Sequence, residues 1–503
     1  MTIQREKRFD LAVLSAWVLV LAAFRAGRVS EGDPYWQIRA GGELLDGGPL
    51  VHPDSWSWAP VVGNFYPNSP AWNVLLAISW RSAAYWGLFA VTFVSISAVL
   101  GLLAYLTMRV GVGPLSATAA VVVCAVGAFP MLSPRPSVGA QLLLLLGFAA
   151  AHSWSQYAWT RPTWVTAVVL SIYGFSLSYV GSWVHSSWSI LALGLGLSWS
   201  VFWAMVPKLH SRTRIAAILG GSLGLVAGVG LGPYGLAVLE RSWHVAEVAS
   251  GLIIEWTAAA DPRNAERWIV PAALAVVLSV VAAIRVAKGW RRRPSRELAL
   301  EAALVVIALP AAIAGLVLSI RFCGVAWLLL APTVGLTLSR VAGRATRAGS
   351  GPKPSGLSRF VADRAVAPYW RILLGASVAA LAPLAVLIAM ERAQPASASA
   401  LPPLPLGCRL YADAADSGAA LLLRPDVLVW YDGRTDYWGR DRVAEAASRI
   451  ANPSLSQPAP PGATCALFRT SGEFQVVAAA LDASPDWQRR AEVGEYVVWL
   501  AES

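Results

Sequence analysis

An acid followed by two aromatics, Asp33-Pro34-Tyr35-Trp36-Gln37, stands just after the first apolar run of the chain. A carboxylate placed there can take a proton from a hydroxyl. Asp54, in the same loop, is a second carboxylate. It can orient a bound hydroxyl compound or hold a divalent ion such as Mg or Mn. Arg135, between Pro134 and Pro136, and Arg321 stand at the ends of later apolar runs. Guanidinium forks match phosphate oxygens, so these two can clamp a phosphate at headgroup depth. His185, in Trp183-Val184-His185, can donate a hydrogen bond to a leaving oxygen. Tyr35, Trp36, Gln37, Trp72 and Glu255, which precedes Trp256, complete the candidate substrate-binding set.

Each of these residues also has a structural role open to it. Asp33 precedes Pro34 and a predicted helix, so it can act as an N-cap. Asp54 can close a turn through Ser55. Arg135 and Arg321 can anchor at the interface or snorkel to headgroups. His185 can be a satisfied interfacial histidine, and Glu255 an ordinary loop acid. Asp432, Arg434 and Asp436 of the tail read as an internal salt-bridged turn.

The elements that must position these residues are apolar. The 503-residue chain is 56% hydrophobic and 14% charged, where soluble domains carry roughly 25% charge. Apolar runs of about 20 residues recur, which is the length that crosses a bilayer. About eleven spans are expected, near 11–27, 84–108, 114–131, 137–154, 164–183, 187–206, 214–232, 268–286, 299–319, 322–339 and 371–391. The first follows Arg5, Lys7 and Arg8, and no small-residue cleavage site precedes Arg28. It reads as a retained signal-anchor helix. Glycines at 220, 224, 228 and 232 form a stripe for close helix packing.

The net charge of +11 is concentrated in particular loops. Basic clusters precede the first span and lie between the sixth and seventh (Lys208, Arg212, Arg214), the eighth and ninth (Arg285, Lys288, Arg291, Arg292, Arg293, Arg296), and the tenth and eleventh (Arg340, Arg344, Arg347, Lys353, Arg359, Arg364). With eleven spans they share one face, which the positive-inside rule makes cytoplasmic. No nucleic acid is therefore needed as a partner. The N-terminus is then cytoplasmic, and loops 28–83 and 233–267 and the tail are extracytoplasmic. Glu31, Asp33, Glu43, Asp46 and Asp54 fall in the first of those loops, and Glu240, Glu247, Glu255 and Asp261 in the second.

The expected organisation is a transmembrane domain over 1–392 that includes the loop 28–83, a Pro-, Ala- and Ser-rich linker at 393–406, and a small α/β domain at 407–503. In the tail, strand-like runs lie at 408–411, 419–423, 427–431, 465–469, 474–479 and 496–500, with helix-like stretches at 440–451 and 484–491. Cys124 and Cys323 lie inside apolar spans as packing residues. Cys408 and Cys465 flank strand-like segments, and an extracytoplasmic setting would let them pair.

The order of motifs resembles the GT-C superfamily of polytopic glycosyltransferases, and more closely a bacterial branch that opens with Asp-x-Trp-Trp-His. Asp33-Pro34-Tyr35-Trp36-Gln37, His52-Pro53-Asp54-Ser55-Trp56, Asn68-Ser69-Pro70-Ala71-Trp72, Arg135-Pro136, Trp183-Val184-His185, Gly232-Pro233-Tyr234-Gly235 and Asp432-Gly433-Arg434 follow that branch in sequence. The departures are specific. Gln37 replaces the branch's His, the His and Glu of its Asn-His-Glu-Trp element are lost before Trp72, Trp183-Val184-His185-Ser186-Ser187-Trp188 stands where the branch has Trp-x-Asn-x-His-Gly, and Gly232 replaces an Asn.

The resemblance implies an all-α polytopic membrane fold with a small extracytoplasmic α/β domain. It implies a transferase that moves a sugar from a polyprenyl-phosphate donor to a glycan, lipid or protein acceptor of the cell envelope. Asp33 would be the base. The lost His and Glu favour an alternative, a non-catalytic lipid-binding scaffold for envelope assembly. A flippase is a third reading, opposed by spans almost free of charge. No zinc spacing, Walker loop, Ser-His-Asp order or nucleotide fingerprint is present in the sequence.

Overall fold

The computed structural model describes residues 2–27, 32–345, 358–393 and 401–502. Glu31, much of the basic stretch between the last two spans, and half of the linker lie outside the described residues. In chain order the elements are α1 (Thr2–Arg25), α2 (Asp33–Leu45), β1 (His52–Pro53), β2 (Asn64–Phe65), α3 (Pro70–Arg109), α4 (Pro114–Gly127), α5 (Pro136–Trp154), α6 (Thr163–Val184), α7 (Trp188–Met205), α8 (Ser211–Gly230), α9 (Ala237–Ala249), α10 (Pro262–Arg292), α11 (Arg296–Val317), α12 (Ile320–Ala345) and α13 (Ser358–Arg392). The tail adds β3 (Arg409–Ala412), α14 (Ala414–Leu423), β4 (Leu428–Val429), α15 (Thr435–Ala451), β5 (Cys465–Arg469), α16 (Gln475–Ala483), β6 (Trp487–Val493) and β7 (Tyr496–Ala501).

Among the described residues, 9 helices are long and apolar enough to cross a membrane, so the chain is a multi-pass membrane protein. The other two expected spans are helical as well. Helix α4 has only 14 residues, and α1 carries charged residues through its first turns. Helix α3 breaks at Ala83 and Ala84, where the backbone leaves helical geometry. The apolar span therefore starts where the hydropathy places it.

The contacts divide the chain into two units. The first holds residues 1–26, 92–239 and 254–390. Its core is small and branched apolar side chains, with Trp188, Trp199 and Trp203 fully enclosed. The glycine stripe of α8 does what small residues do between membrane helices. A Cβ at Gly220 would lie 2.5 Å from the Ala167 carbonyl of α6, and Cβ atoms at Gly224 and Gly228 would strike the carbonyls of Ser171 and Phe175. The stripe is the contact surface between α6 and α8. Glu301 of α11 is buried in this unit and is ion-paired with Arg285 of α10.

The second unit holds residues 27–91, 240–253 and 391–503. Its centre is a five-stranded sheet in the order β4-β3-β5-β7-β6. The first three strands run parallel, and β7 and β6 are antiparallel additions. Alternation along β5 divides its side chains between two cores. Cys465 and Leu467 face a core shared with Trp36, Trp56 and Phe65, while Ala466 and Phe468 face one shared with Tyr431 and Trp438. The first loop extends this sheet, because Val429 donates to the Trp56 carbonyl (2.9 Å) and Trp58 to the Val429 carbonyl (3.3 Å).

Three tail segments differ from their sequence reading. Residues 419–423 and 474–479 are short apolar runs that read as strands, but they lie in α14 and α16. Short apolar runs do not distinguish the two states. Asp413 decides the first case by capping α14, accepting from the amides of Ala415 (2.7 Å) and Asp416 (2.8 Å). Residues 484–491 read as helical but supply much of β6, which is held as a hairpin to β7 through Gly494.

Cys408 and Cys465 form a disulfide that joins the start of β3 to β5 across 57 residues. Closing a loop of that size constrains the unfolded chain. Serine at both positions is expected to lower the stability of the second unit by about 2–4 kcal/mol. Urea unfolding followed by limited proteolysis of the tail measures this, and an unchanged midpoint would contradict it.

Candidate functional site

Two clusters carry the candidate residues, one in each unit. In the first unit, Arg135 caps α5 in an extended conformation, with Pro136 setting the first helical position. Arg321 lies in the first turn of α12. Glu255 lies in a short 3-10 turn at Ile254–Trp256. The structure brings all three together. Glu255 Oε2 accepts from Arg135 Nη1 at 2.5 Å and from Arg321 Nη2 and Nε at 2.8 and 3.2 Å. The Arg321 guanidinium also lies 4.5 Å from the Trp256 ring centre.

The Glu255 turn is tied down on both sides. Ser319 Oγ donates to the Glu255 carbonyl (2.8 Å), and Asn264 Nδ2 bonds the Ile254 carbonyl (3.0 Å) and Thr257 Oγ1 (2.6 Å). Burial pushes the Glu255 carboxyl up, but the two guanidiniums outweigh it and hold the group down at about 2. Glu255 is therefore an anion at any physiological pH.

His185 follows the end of α6 in an extended conformation. Burial is the main cause that lowers its imidazole to about 3, and the fields of Arg321 and Arg135 add to it. The ring is neutral. Its Nδ1 accepts from the Ser187 amide (3.0 Å) and lies 2.5 Å from Ser187 Oγ. An amide can only donate, so the ring hydrogen sits on Nε2.

In the second unit, Asp33 is the first residue of α2, and Gly32 occupies the cap position without a side-chain bond. Asp33 is thus inside the helix rather than its cap. Its Oδ1 accepts from Trp36 Nε1 at 3.2 Å, three residues on. Tyr35, Trp36 and Gln37 are buried, and Gln37 Oε1 has no hydrogen-bond partner among the described residues. Trp72 is buried in a separate apolar cluster with Ile38, Leu76 and Leu88.

The Asp54 side chain is fully buried against the tail. Arg434 Nη1 and Nη2 donate to its two oxygens at 2.7 and 3.3 Å, and Asp54 Oδ1 also accepts from the Trp56 amide at 3.1 Å. The same guanidinium bonds Asp432 through Nε (2.9 Å to each oxygen) and Nη2 (2.7 Å). All three side chains have no exposed surface. Rings of Trp56, Phe65, Tyr437 and Trp438 surround the guanidinium at 4.4–5.3 Å. Gly433, inside this Asp-Gly-Arg turn, lies directly against Asp33 Oδ1.

The salt-bridged turn expected in the tail thus reaches back to the first loop. Asp436 is not in it. Burial raises its carboxyl to about 6, the field of Arg434 opposes this, and the charge of Asp33 adds to the rise. Among the described residues, no three His, Cys, Asp or Glu side chains gather to hold a metal ion. Asp54, the acid considered for a divalent ion, already serves Arg434 through both of its oxygens. Sequence reasoning missed two pairings: Asp54 with Arg434, and Glu255 with both arginines. The available signal was scarcity, since charges rarely enter apolar surroundings without a partner.

No family model and no curated protein matches the chain. Among solved structures it is similar to the archaeal oligosaccharyltransferase AglB from Archaeoglobus fulgidus in complex with an inhibitory peptide and a dolichol-phosphate. The identity is 13% and the TM-score 0.48, covering 94% of this chain and 71% of that one. It is also similar to the Archaeoglobus fulgidus oligosaccharyltransferase tethered to an acceptor peptide containing the NVT sequon. There the identity is 13% and the TM-score 0.45, covering 98% of this chain and 74% of that one.

Proposed function

We propose that this protein is a membrane glycosyltransferase that moves a sugar from a polyprenyl-phosphate donor to an extracytoplasmic glycan, lipid or protein of the cell envelope. The observation that carries the reading is the convergence of Arg135 and Arg321 on one carboxylate oxygen. Two guanidiniums that share an anion can share the oxygens of a phosphate. Positive charge aimed at a departing phosphate lowers the barrier to its departure. His185, neutral with its hydrogen on Nε2, is suited to donate to the leaving oxygen without adding charge. Asp33 is the base that takes the acceptor's hydroxyl proton as the sugar–phosphate bond breaks. The order of first-loop motifs and the 9 apolar helices also support the reading. With the basic loops cytoplasmic, both clusters work on the opposite side of the membrane.

The test uses the full chain in detergent. Arg135→Ala and Arg321→Ala are each expected to weaken binding of undecaprenyl phosphate by roughly 10- to 100-fold, as for loss of a charge-assisted bond worth about 1.5–3 kcal/mol. Transfer of labelled sugar from a polyprenyl-phosphate hexose should fall in parallel. Wild-type affinity in both folded variants would overturn the reading. Binding without transfer by the wild-type chain would favour the second reading, a lipid-phosphate-binding scaffold, which Gln37 and the residues before Trp72 favour.

A further inference from the structure

The tail turn Asp432-Gly433-Arg434 presses on the residue proposed as the base. A Cβ added at Gly433 would lie 2.5 Å from Asp33 Oδ1, 3.0 Å from Trp36 Nε1 and 3.3 Å from Trp36 Cδ1. Those atoms are the carboxylate oxygen and the indole that donates to it. We propose that Gly433 is a positioning residue, and that its bare backbone fixes the carboxylate of Asp33 in the orientation the reaction uses. The proposal rests on the reading of Asp33 as the base.

Neither side of this contact can retreat. On the tail side, Arg434 is held by Asp54 and Asp432, and its own amide donates to Asp432 Oδ1 at 2.8 Å. The Thr435 amide donates to the Gly433 carbonyl at 2.8 Å. On the other side, the start of α2 is backed by α14. A Cβ at Gly32 would lie 2.6 Å from the Ala414 carbonyl oxygen and from Ala415 Cα, and one at Gly418 would lie 2.6 Å from the Gly32 carbonyl. With both backbones fixed, a methyl group at 433 must be accommodated by the Asp33 side chain. It would turn the carboxylate and break the Trp36 bond. Displacing a reacting group by about 1 Å can cost on the order of 100-fold in rate.

The test is Gly433→Ala in the full chain, compared with Gly42→Ala. At Gly42 a Cβ would meet only the end of Arg81, at 3.5 Å. Gly433→Ala is expected to lower kcat by roughly 10- to 100-fold, with the KM for the lipid donor and the affinity for undecaprenyl phosphate unchanged. Gly42→Ala should keep wild-type kcat. A merely structural role for Gly433 would lower the folded fraction and leave kcat per folded molecule intact, which would overturn the proposal. Should Gly433→Ala fail to fold, Trp36→Phe removes the same hydrogen bond without adding volume. It is expected to lower kcat in the same way, and unchanged kcat would overturn the proposal. An inactive Asp33→Asn beside a fully active Gly433→Ala sinks this inference alone. An active Asp33→Asn sinks the assignment of the base, and this inference with it.

Discussion

Replacing Arg434 by Met is expected to destabilise the second unit by about 3–5 kcal/mol, the loss that follows when one member of a buried ion pair is removed. The side chains of Arg434, Asp54 and Asp432 are fully out of water. Removing the guanidinium leaves two buried carboxylates in a cage of Trp56, Phe65, Tyr437 and Trp438 without the cation that bonds both of them. Lysine should not rescue the fold. One ammonium cannot reproduce the planar fork that serves two carboxylates and stacks among rings. Replacing Asp54 and Asp432 by Asn in the Met background should recover part of the loss, since the uncompensated charges are then gone. The chain has two units, so a single global unfolding energy is ill-defined. Protease susceptibility of the tail against urea is the suitable measurement. A midpoint equal to wild type would mean that Arg434 does not hold the first loop to the tail. Because Gly433 lies against Asp33, loss of this turn should also remove transfer activity.

How much of this was legible in the sequence depends on the range of the interaction. Local patterns read well. Asp33-Pro34 reads as the opening of a helix, and α2 opens there. The glycine stripe of α8 reads as a packing face, and it is one. Apolar length gives the membrane helices, because a bilayer requires the backbone to satisfy itself. Pairings between distant segments do not read this way. Nothing local to Asp54 shows that its partner is Arg434 in the tail, or that Glu255 would collect Arg135 and Arg321. These follow from desolvation: an ion in apolar surroundings must find its opposite wherever the chain brings one. The helix and strand exchanges in the tail have a different cause. Short apolar runs fit either state, and capping by Asp413 decides for α14, whereas the polar segment before Gly494 becomes a strand through its pairing with β7.

The second large effect concerns Asp33 itself. Asparagine has the same shape, and its Oδ1 can still accept from Trp36 Nε1. The first loop and the Arg434 cage should therefore persist. Only the capacity to take a proton is lost, and removal of a general base costs roughly 100- to 10,000-fold. Lipid-phosphate binding at Arg135 and Arg321 should be unaffected, since that cluster contains neither Asp33 nor its partners. Single-turnover transfer of labelled sugar from a polyprenyl-phosphate hexose by folded, donor-bound Asp33→Asn is the most direct test of Asp33 as the base. At least a 100-fold slower step with donor affinity intact is expected. A wild-type rate from that variant would contradict it.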